Sequence, residues 1–144
     1  MGLNVVLYQP EIPANTGNIA RTCAATNTVL HLIRPLGFST DDKMLKRAGL
    51  DYWKFEKYGV GEYYYLTKFG EYRYTDFDVS GTNKNYYFVF GRETSGLPEE
   101  VIEKNRDRCL RIPMSDCVRA LNLSNTAAII VYEALRQQGF PGVK

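Results

Sequence analysis

Three segments hold most of the residues in this 144-residue chain whose types and spacing could do chemistry. The first is Pro13-Ala14-Asn15-Thr16-Gly17-Asn18-Ile19-Ala20-Arg21. The second is Phe90-Gly91-Arg92-Glu93-Thr94-Ser95-Gly96-Leu97-Pro98. The third starts at Ile112-Pro113-Met114 and runs to Arg119-Ala120-Leu121-Asn122-Leu123-Ser124-Asn125. All are rich in Gly, Asn, Ser and Pro, and each sits where an apolar strand gives way to a helix. In an α/β protein, helix N-termini and free backbone amides gather at such places, and ligands bind there. Three of them in so short a chain imply one composite site. Glycine lets a backbone come near a planar ring, so Gly91 and Gly96 suit a pocket for an aromatic base, with Ile112 and Leu121 as apolar surface on its faces. Both glycines could equally be turn formers. Asn15, Asn18, Asn122 and Asn125 stand beside glycine or serine, where capping is the default role. Glu93 is the only acid inside the late pair of segments. It can hold a cation or cap a turn, and Asp116, just outside, is not expected to act as a base. A dinucleotide fingerprint is absent: Gly59-Val60-Gly61 is followed by Tyr64 where a third glycine is needed.

The elements that must position these segments follow from periodicity. Leu3–Tyr8 is a short apolar run of β-formers and reads as a buried strand. Residues 9–14 contain two prolines and are expected to stay out of helix. Asn15 or Thr16 is expected to cap a helix reaching about Asn27, with small residues Ala20, Cys23 and Ala24 on one face. Val29–Ile33 is a second strand, ended by Pro35. A short helix should open at Asp41-Asp42, carry Lys43, Lys46 and Arg47, and stop at Gly49. The tyrosine-rich stretch 52–74 suggests two strands, 52–58 and 63–69, joined only by Gly59-Val60-Gly61-Glu62. A parallel pair needs a crossover of about a dozen residues or more, so this connector permits a tight turn and no helix of two or more turns between Trp53 and Tyr65. Tyr86–Phe90 is a strongly apolar strand. Residues 98–105 form a short helix with Glu99 and Glu100 at its positive end, residues 109–112 the last strand, and Ser124 the cap of a final helix closed by Gly139. Strands alternating with helices imply a parallel sheet flanked by helices.

Length and composition bound the function class. The chain reads as one domain, residues 1–144, large enough for a core. Hydrophobic content of 44% and charged content of 24% are those of an ordinary globular protein. No apolar run approaches membrane-spanning length and no signal sequence opens the chain, so the expectation is a cytoplasmic protein with no membrane partner. Cys23, Cys109 and Cys117 with the single His31 form no zinc pattern, so no metal is expected. A net charge of +2 neither demands nor forbids RNA. Local clusters matter more: Lys43, Lys46 and Arg47, and Arg106, Arg108 and Arg111. Either can be solvated surface.

Taken together, the three segments resemble the motifs of the SPOUT superfamily of α/β-knot RNA methyltransferases. The similarity is greatest to the small tRNA (cytidine(34)-2'-O)-methyltransferase family and runs from Asn4-Val5-Val6-Leu7-Tyr8 to Tyr132-Glu133-Ala134-Leu135-Arg136-Gln137-Gln138. The resemblance implies a C-terminal trefoil knot, S-adenosylmethionine as methyl donor, tRNA as substrate and a homodimer. It implies cofactor contacts from Leu66, Gly91, Gly96, Ile112, Ala120 and Leu121. It assigns catalysis to Arg21 and Asn15, and RNA contacts to Arg21, Asn18, Arg119, Ser124 and Asn125. Glu93 could then hold Arg21 or the cofactor amine, and Tyr132 could touch substrate or an interface. Relatives in the family carry a helix where Gly59-Glu62 stands, so a deletion is expected there. The implied reaction is 2'-O-methylation of the ribose of the wobble nucleotide, a cytidine or a modified uridine. The alternatives are another tRNA or rRNA ribose and, in a different class, a knotted RNA-binding module without catalysis. The expected dimer would pair the first and last helices, through Ala20, Cys23 and Ala24 and through Ala127, Ile130, Val131, Ala134 and Leu135, an apolar stripe broad for one helix; the alternative is that both stripes pack on the protomer's own sheet.

Overall fold

The computed structural model describes residues 2–38, 51–53 and 60–144. Its strands are β1 (Leu3–Tyr8), β2 (Val29–Ile33), β3 (Asp51–Trp53), β4 (Glu62–Leu66), β5 (Tyr72–Arg73), β6 (Tyr86–Phe90) and β7 (Cys109–Arg111). Its helices are α1 (Pro13–Ala25), α2 (Glu99–Lys104) and α3 (Leu123–Gln138), with a 3-10 turn at Arg106–Arg108. The strands form one sheet in the order β3-β2-β1-β6-β4-β7-β5. Every pairing is parallel.

The near-continuous apolar runs of β1 and β6 are explained by their central place, since a parallel strand is covered on both faces. On one face Val5, Leu7, Leu30, Leu32, Phe88 and Phe90 meet Ile19, Ala20 and Cys23 of α1 and Ile130, Val131 and Ala134 of α3. On the other, Val6, Ile33, Tyr65, Tyr87 and Val89 meet Val101 and Ile102 of α2. Tyr63 and Tyr87 stack there, ring centroids 4.4 Å apart. After β7 the chain returns past the end of β4 to place α3 against α1, β1 and β6. That return brings the third segment beside the second.

Several expectations change in this frame. α1 begins at Pro13, not at Asn15 or Thr16, because a proline at the first helical position forfeits an amide with no helical partner anyway. Asn15 and Thr16 are therefore buried in the first turn of α1. α3 is capped by Asn122 rather than Ser124, with the Asn122 side chain accepting from the backbone N–H of Ser124 and Asn125. β4 ends at Leu66, short of Phe69. The two tyrosine-rich segments are not neighbours, since β2, β1 and β6 lie between β3 and β4, so the hairpin constraint does not arise. The expected helix from Asp41 and the turn around Gly59 lie outside the described residues. The stripes expected to pair two copies are buried inside the protomer: Ala20, Cys23, Ala127, Ile130, Val131, Ala134 and Leu135 all belong to its own core, and Ala24 alone of the set is exposed. α1 and α3 pack on each other and on the same face of the sheet.

Candidate active site

Strands β4, β6 and β7 all point the same way, so the segments that follow them converge at one edge of the sheet. Between them lies a cavity of about 550 Å³, within the range of small-ligand sites. All six residues expected to contact a cofactor line it: Leu66, Gly91, Gly96, Ile112, Ala120 and Leu121. Asn15 and Arg119 line it too. Arg21, Asn18, Ser124 and Asn125 do not. Asn18 and Arg21 follow Asn15 along α1 at successive three-residue steps, and both are exposed. Arg21 has no hydrogen bond or ion pair among the described residues. The amides of Ser124 and Asn125 are occupied by the Asn122 side-chain Oδ1, at 2.9 and 3.4 Å.

The backbone of the second segment is closed on itself. Arg92 N–H donates to the Gly96 carbonyl and Gly96 N–H to that of Arg92, at 3.2 and 2.9 Å. Gly96 takes the left-handed conformation, φ +69°, and a Cβ on Gly91 would stand 2.2 Å from backbone atoms of Gly96 and Leu97. Both positions need glycine for this loop, whichever ligand it meets.

Two carboxylates lock the first and second segments together. One Glu93 oxygen accepts the backbone N–H of Glu11 and Ile12, at 2.8 and 3.0 Å, where α1 starts. Glu11 reciprocates, accepting the Thr94 hydroxyl at 2.7 Å and its N–H at 3.2 Å. The Thr94 hydroxyl, then its amide, hold the Glu11 carboxyl below its usual value. Arg92 adds a hydrogen bond to the Gln9 side chain and lies over the Tyr8 ring, 5.0 Å from its centroid. Glu93 is thus a cap rather than a partner of Arg21. Its second oxygen is buried without a hydrogen-bond partner, and Glu93 is the one acid among the described residues lining the cavity. The third segment is tied to the first by Asn122, whose side-chain N–H donates to the Asn15 oxygen at 3.0 Å.

The sequence reading gave no role to Glu11, Lys68 or Phe69, and took Arg111 only as part of a basic cluster. Phe69 had been placed in a strand. Counting from the end of β4 and β7 would have brought Lys68, Phe69 and Arg111 to the cavity edge, where they lie with Arg119. Of the basic trio, Arg106 pairs with Glu103 at 2.5 Å and Arg108 lies 5.2 Å from the Tyr64 ring centroid. Among the described residues no three His, Cys, Asp or Glu gather to hold a metal ion, and no helix is long and apolar enough to cross a membrane.

A parallel sheet with a loop-built cavity beyond the ends of β4, β6 and β7, and no dinucleotide fingerprint, defines an α/β protein whose ligand site is not of the Rossmann type. The profile of the SpoU rRNA methylase family matches residues 2–132, and the chain belongs to that family. Within it the chain is similar to tRNA (cytidine(34)-2'-O)-methyltransferases. A Bacillus subtilis relative provisionally given that name is 64% identical over 157 aligned positions, covering 100% of this chain and 98% of the relative. That alignment is longer than the chain, so the relative has residues that this chain lacks. A solved structure described as giving structural insights into the 2-OH methylation of C/U34 on tRNA shares 36% identity, with TM-score 0.81, over 96% of this chain and 91% of the other. The fold is also that of the SpoU methyltransferase AviRb from Streptomyces viridochromogenes in complex with AdoMet, with TM-score 0.74 and 21% identity over 98% of this chain and 58% of that one.

Proposed function

We propose that this chain transfers a methyl group from S-adenosylmethionine to the ribose 2'-hydroxyl of the wobble nucleotide of tRNA, a cytidine or uridine. The observation that carries the reading is the cavity itself. The residues that follow β4, β6 and β7, with the start of α1, surround one space that offers glycines, apolar side chains and, among the described residues, a single acid, a lining suited to this donor. The fit is chemical as well as spatial. Leu66, Ile112 and Leu121 offer apolar surface for an adenine, and Gly96 leaves open space where a side chain would stand. The buried, unpartnered Glu93 oxygen is a ready acceptor for the ammonium of a methionine tail.

S-Adenosylmethionine supplies an electrophilic methyl on a sulfonium. The chain's own residues must bind the RNA, orient the ribose and accommodate the negative charge that grows on its 2'-oxygen as the proton leaves. Arg21 suits the last task, as an exposed guanidinium beyond Asn15 on α1. A guanidinium keeps its proton in proteins, so Arg21 acts as an electrostatic clamp and not as a base. Asn15 is held against Asn122 and keeps the start of α1 in register with the third segment. Asn18, Arg119, Ser124 and Asn125 are assigned to the RNA side. The knotted threading implied by the resemblance is assigned to residues 112–122. The enzyme is cytoplasmic, where tRNA is, and works as a homodimer. With the apolar stripes of α1 and α3 buried internally, the dimer rests on the exposed outer faces of these helices, where Tyr132 is 48% exposed.

Tritium transfer from S-adenosylmethionine to bulk tRNA, followed by mass mapping of 2'-O-methyl sites, tests the reading. Methylation at the wobble ribose is expected. Cofactor binding without transfer would instead favour a non-catalytic RNA-binding module, and transfer to another ribose would move the site.

A further inference from the structure

We propose that Phe69 is a stacking platform for an unpaired base of the RNA substrate, held at the mouth of the cavity with Lys68 and Arg111 as its phosphate contacts. The inference rests on the RNA-methylation reading above and adds a recognition element to it. Phe69 is 65% exposed, yet it is not on a loose loop. Thr67 N–H donates to the Leu110 carbonyl at 3.0 Å, the Phe69 N–H to the Thr67 hydroxyl at 3.2 Å, and the Gly70 N–H to the Thr67 carbonyl at 3.1 Å. A Cβ on Gly70 would stand 2.7 Å from the Leu110 backbone, so the turn is pressed against β7. A large apolar ring is therefore displayed in water by a turn fixed at three points.

The surroundings select the ligand class. Lys68 Nζ stands 5.2 Å from the Phe69 ring centroid. Arg111 and Arg119 line the same cavity, both exposed and without an ion pair among the described residues. Met114 and Leu121 add exposed apolar surface at the same mouth, at 37% and 38%. Glu93, the only acid among the described residues lining the cavity, holds one oxygen to the amides of Glu11 and Ile12 and pairs with none of these cations. Cations without counter-charges beside an exposed aromatic match a polyanion carrying planar bases, which is single-stranded nucleic acid. A protein partner would not require the uncompensated positive charge.

The test compares Phe69→Ala, Phe69→Tyr and Lys68→Ala with the wild-type chain. Affinity for a fluorescent anticodon stem-loop RNA is measured over a salt series, and affinity for S-adenosylhomocysteine by calorimetry. Base–aromatic stacking predicts that Phe69→Ala weakens RNA binding about tenfold. Its salt slope and its cofactor affinity should stay unchanged, and Phe69→Tyr should restore binding. Lys68→Ala should lower the salt slope by about one. Unchanged RNA affinity in Phe69→Ala, or a loss confined to S-adenosylhomocysteine, overturns the platform while leaving the methyltransferase reading intact. A wild-type chain that binds no RNA overturns both.

Discussion

Arg21 stands two three-residue steps along α1 from Asn15, outside the cavity lining, and its exposure fixes what its removal should do. It does not line the cavity and makes no side-chain hydrogen bond or ion pair among the described residues, so Arg21→Ala should leave S-adenosylmethionine affinity within about twofold. Turnover should fall by roughly a hundredfold or more, the scale of losing a preorganised donor at a developing oxyanion. Arg21→Lys should recover only part, because an ammonium lacks the planar fork. Single-turnover kinetics with calorimetry separates the two effects, and parallel loss of cofactor affinity would remove Arg21 from this role. Gly91 is the opposite case. Its missing side chain is what allows the loop to close, with backbone atoms 2.2 Å from where a Cβ would be. Gly91→Ala must push the second segment open, so cofactor binding should be lost together with a few kcal/mol of stability. A variant that melts and binds like the wild type would show that the loop has slack the geometry denies.

At the scale of elements, the exchange of carboxylates between Glu11 and Glu93 joins the start of α1 to the loop after β6. Glu93→Ala strips an acceptor from two backbone amides and should cost about 1–3 kcal/mol. Because the two acids hold one joint, Glu11→Ala and Glu93→Ala should be non-additive in a double-mutant cycle. The Glu11 carboxyl is held below its ordinary value, first by the Thr94 hydroxyl and then by the Thr94 amide. A depressed folded-state value means the contribution is complete above the unfolded-state value and is lost as pH falls through the folded one. The wild type should therefore lose stability below about pH 4.5 more steeply than Glu11→Gln. Identical acid limbs in chemical denaturation would show that the joint does not depend on the charge. The cap of α3 is separable from this. Asn122→Ala should cost about 1 kcal/mol, and Asn122→Asp should keep the cap, since a carboxylate still accepts the Ser124 and Asn125 amides and suits a helix N-terminus.

For the whole molecule, the packing of α1 and α3 into one core decides which groups solvent can reach. Burial pushes the Cys23 thiol up to about 12, and burial also raises Cys109, while Cys117 is exposed. The native protein should release one thiol equivalent rapidly to a disulfide reagent, and all three of its cysteines after denaturation. Rapid labelling of Cys23 would mean that α1 lifts from the sheet. Light scattering checks the dimer. A mass independent of concentration at the monomer value, down to micromolar protein, would rule it out. An interface on the outer faces should be polar at its rim and reach roughly 1,600 Å² in total if it is of standard size.

The amino-acid sequence alone determined the parallel α/β frame and most strand positions, and it singled out Gly91, Gly96, Ile112 and Leu121, while Leu66 and Ala120 came from the family resemblance; all six line the cavity. The reason is that apolar strands ending in glycine- and asparagine-rich segments announce where backbone amides are left free. It also placed the αL stop of α3 at Gly139, where φ is +77°. What it misjudged depended on partners distant in the chain. The start of α1 at Pro13 is favoured by the proline itself and reinforced by Glu93, some eighty residues later, which accepts the amides of Glu11 and Ile12 just before it. Ser124 lost the cap to Asn122, whose side chain bonds both the helix end and Asn15. The apolar stripes of α1 and α3 looked like an interface because a helix shows only its own face in sequence. Only the order of the strands decides that both helices share one side of the sheet and that three loops close into a cavity.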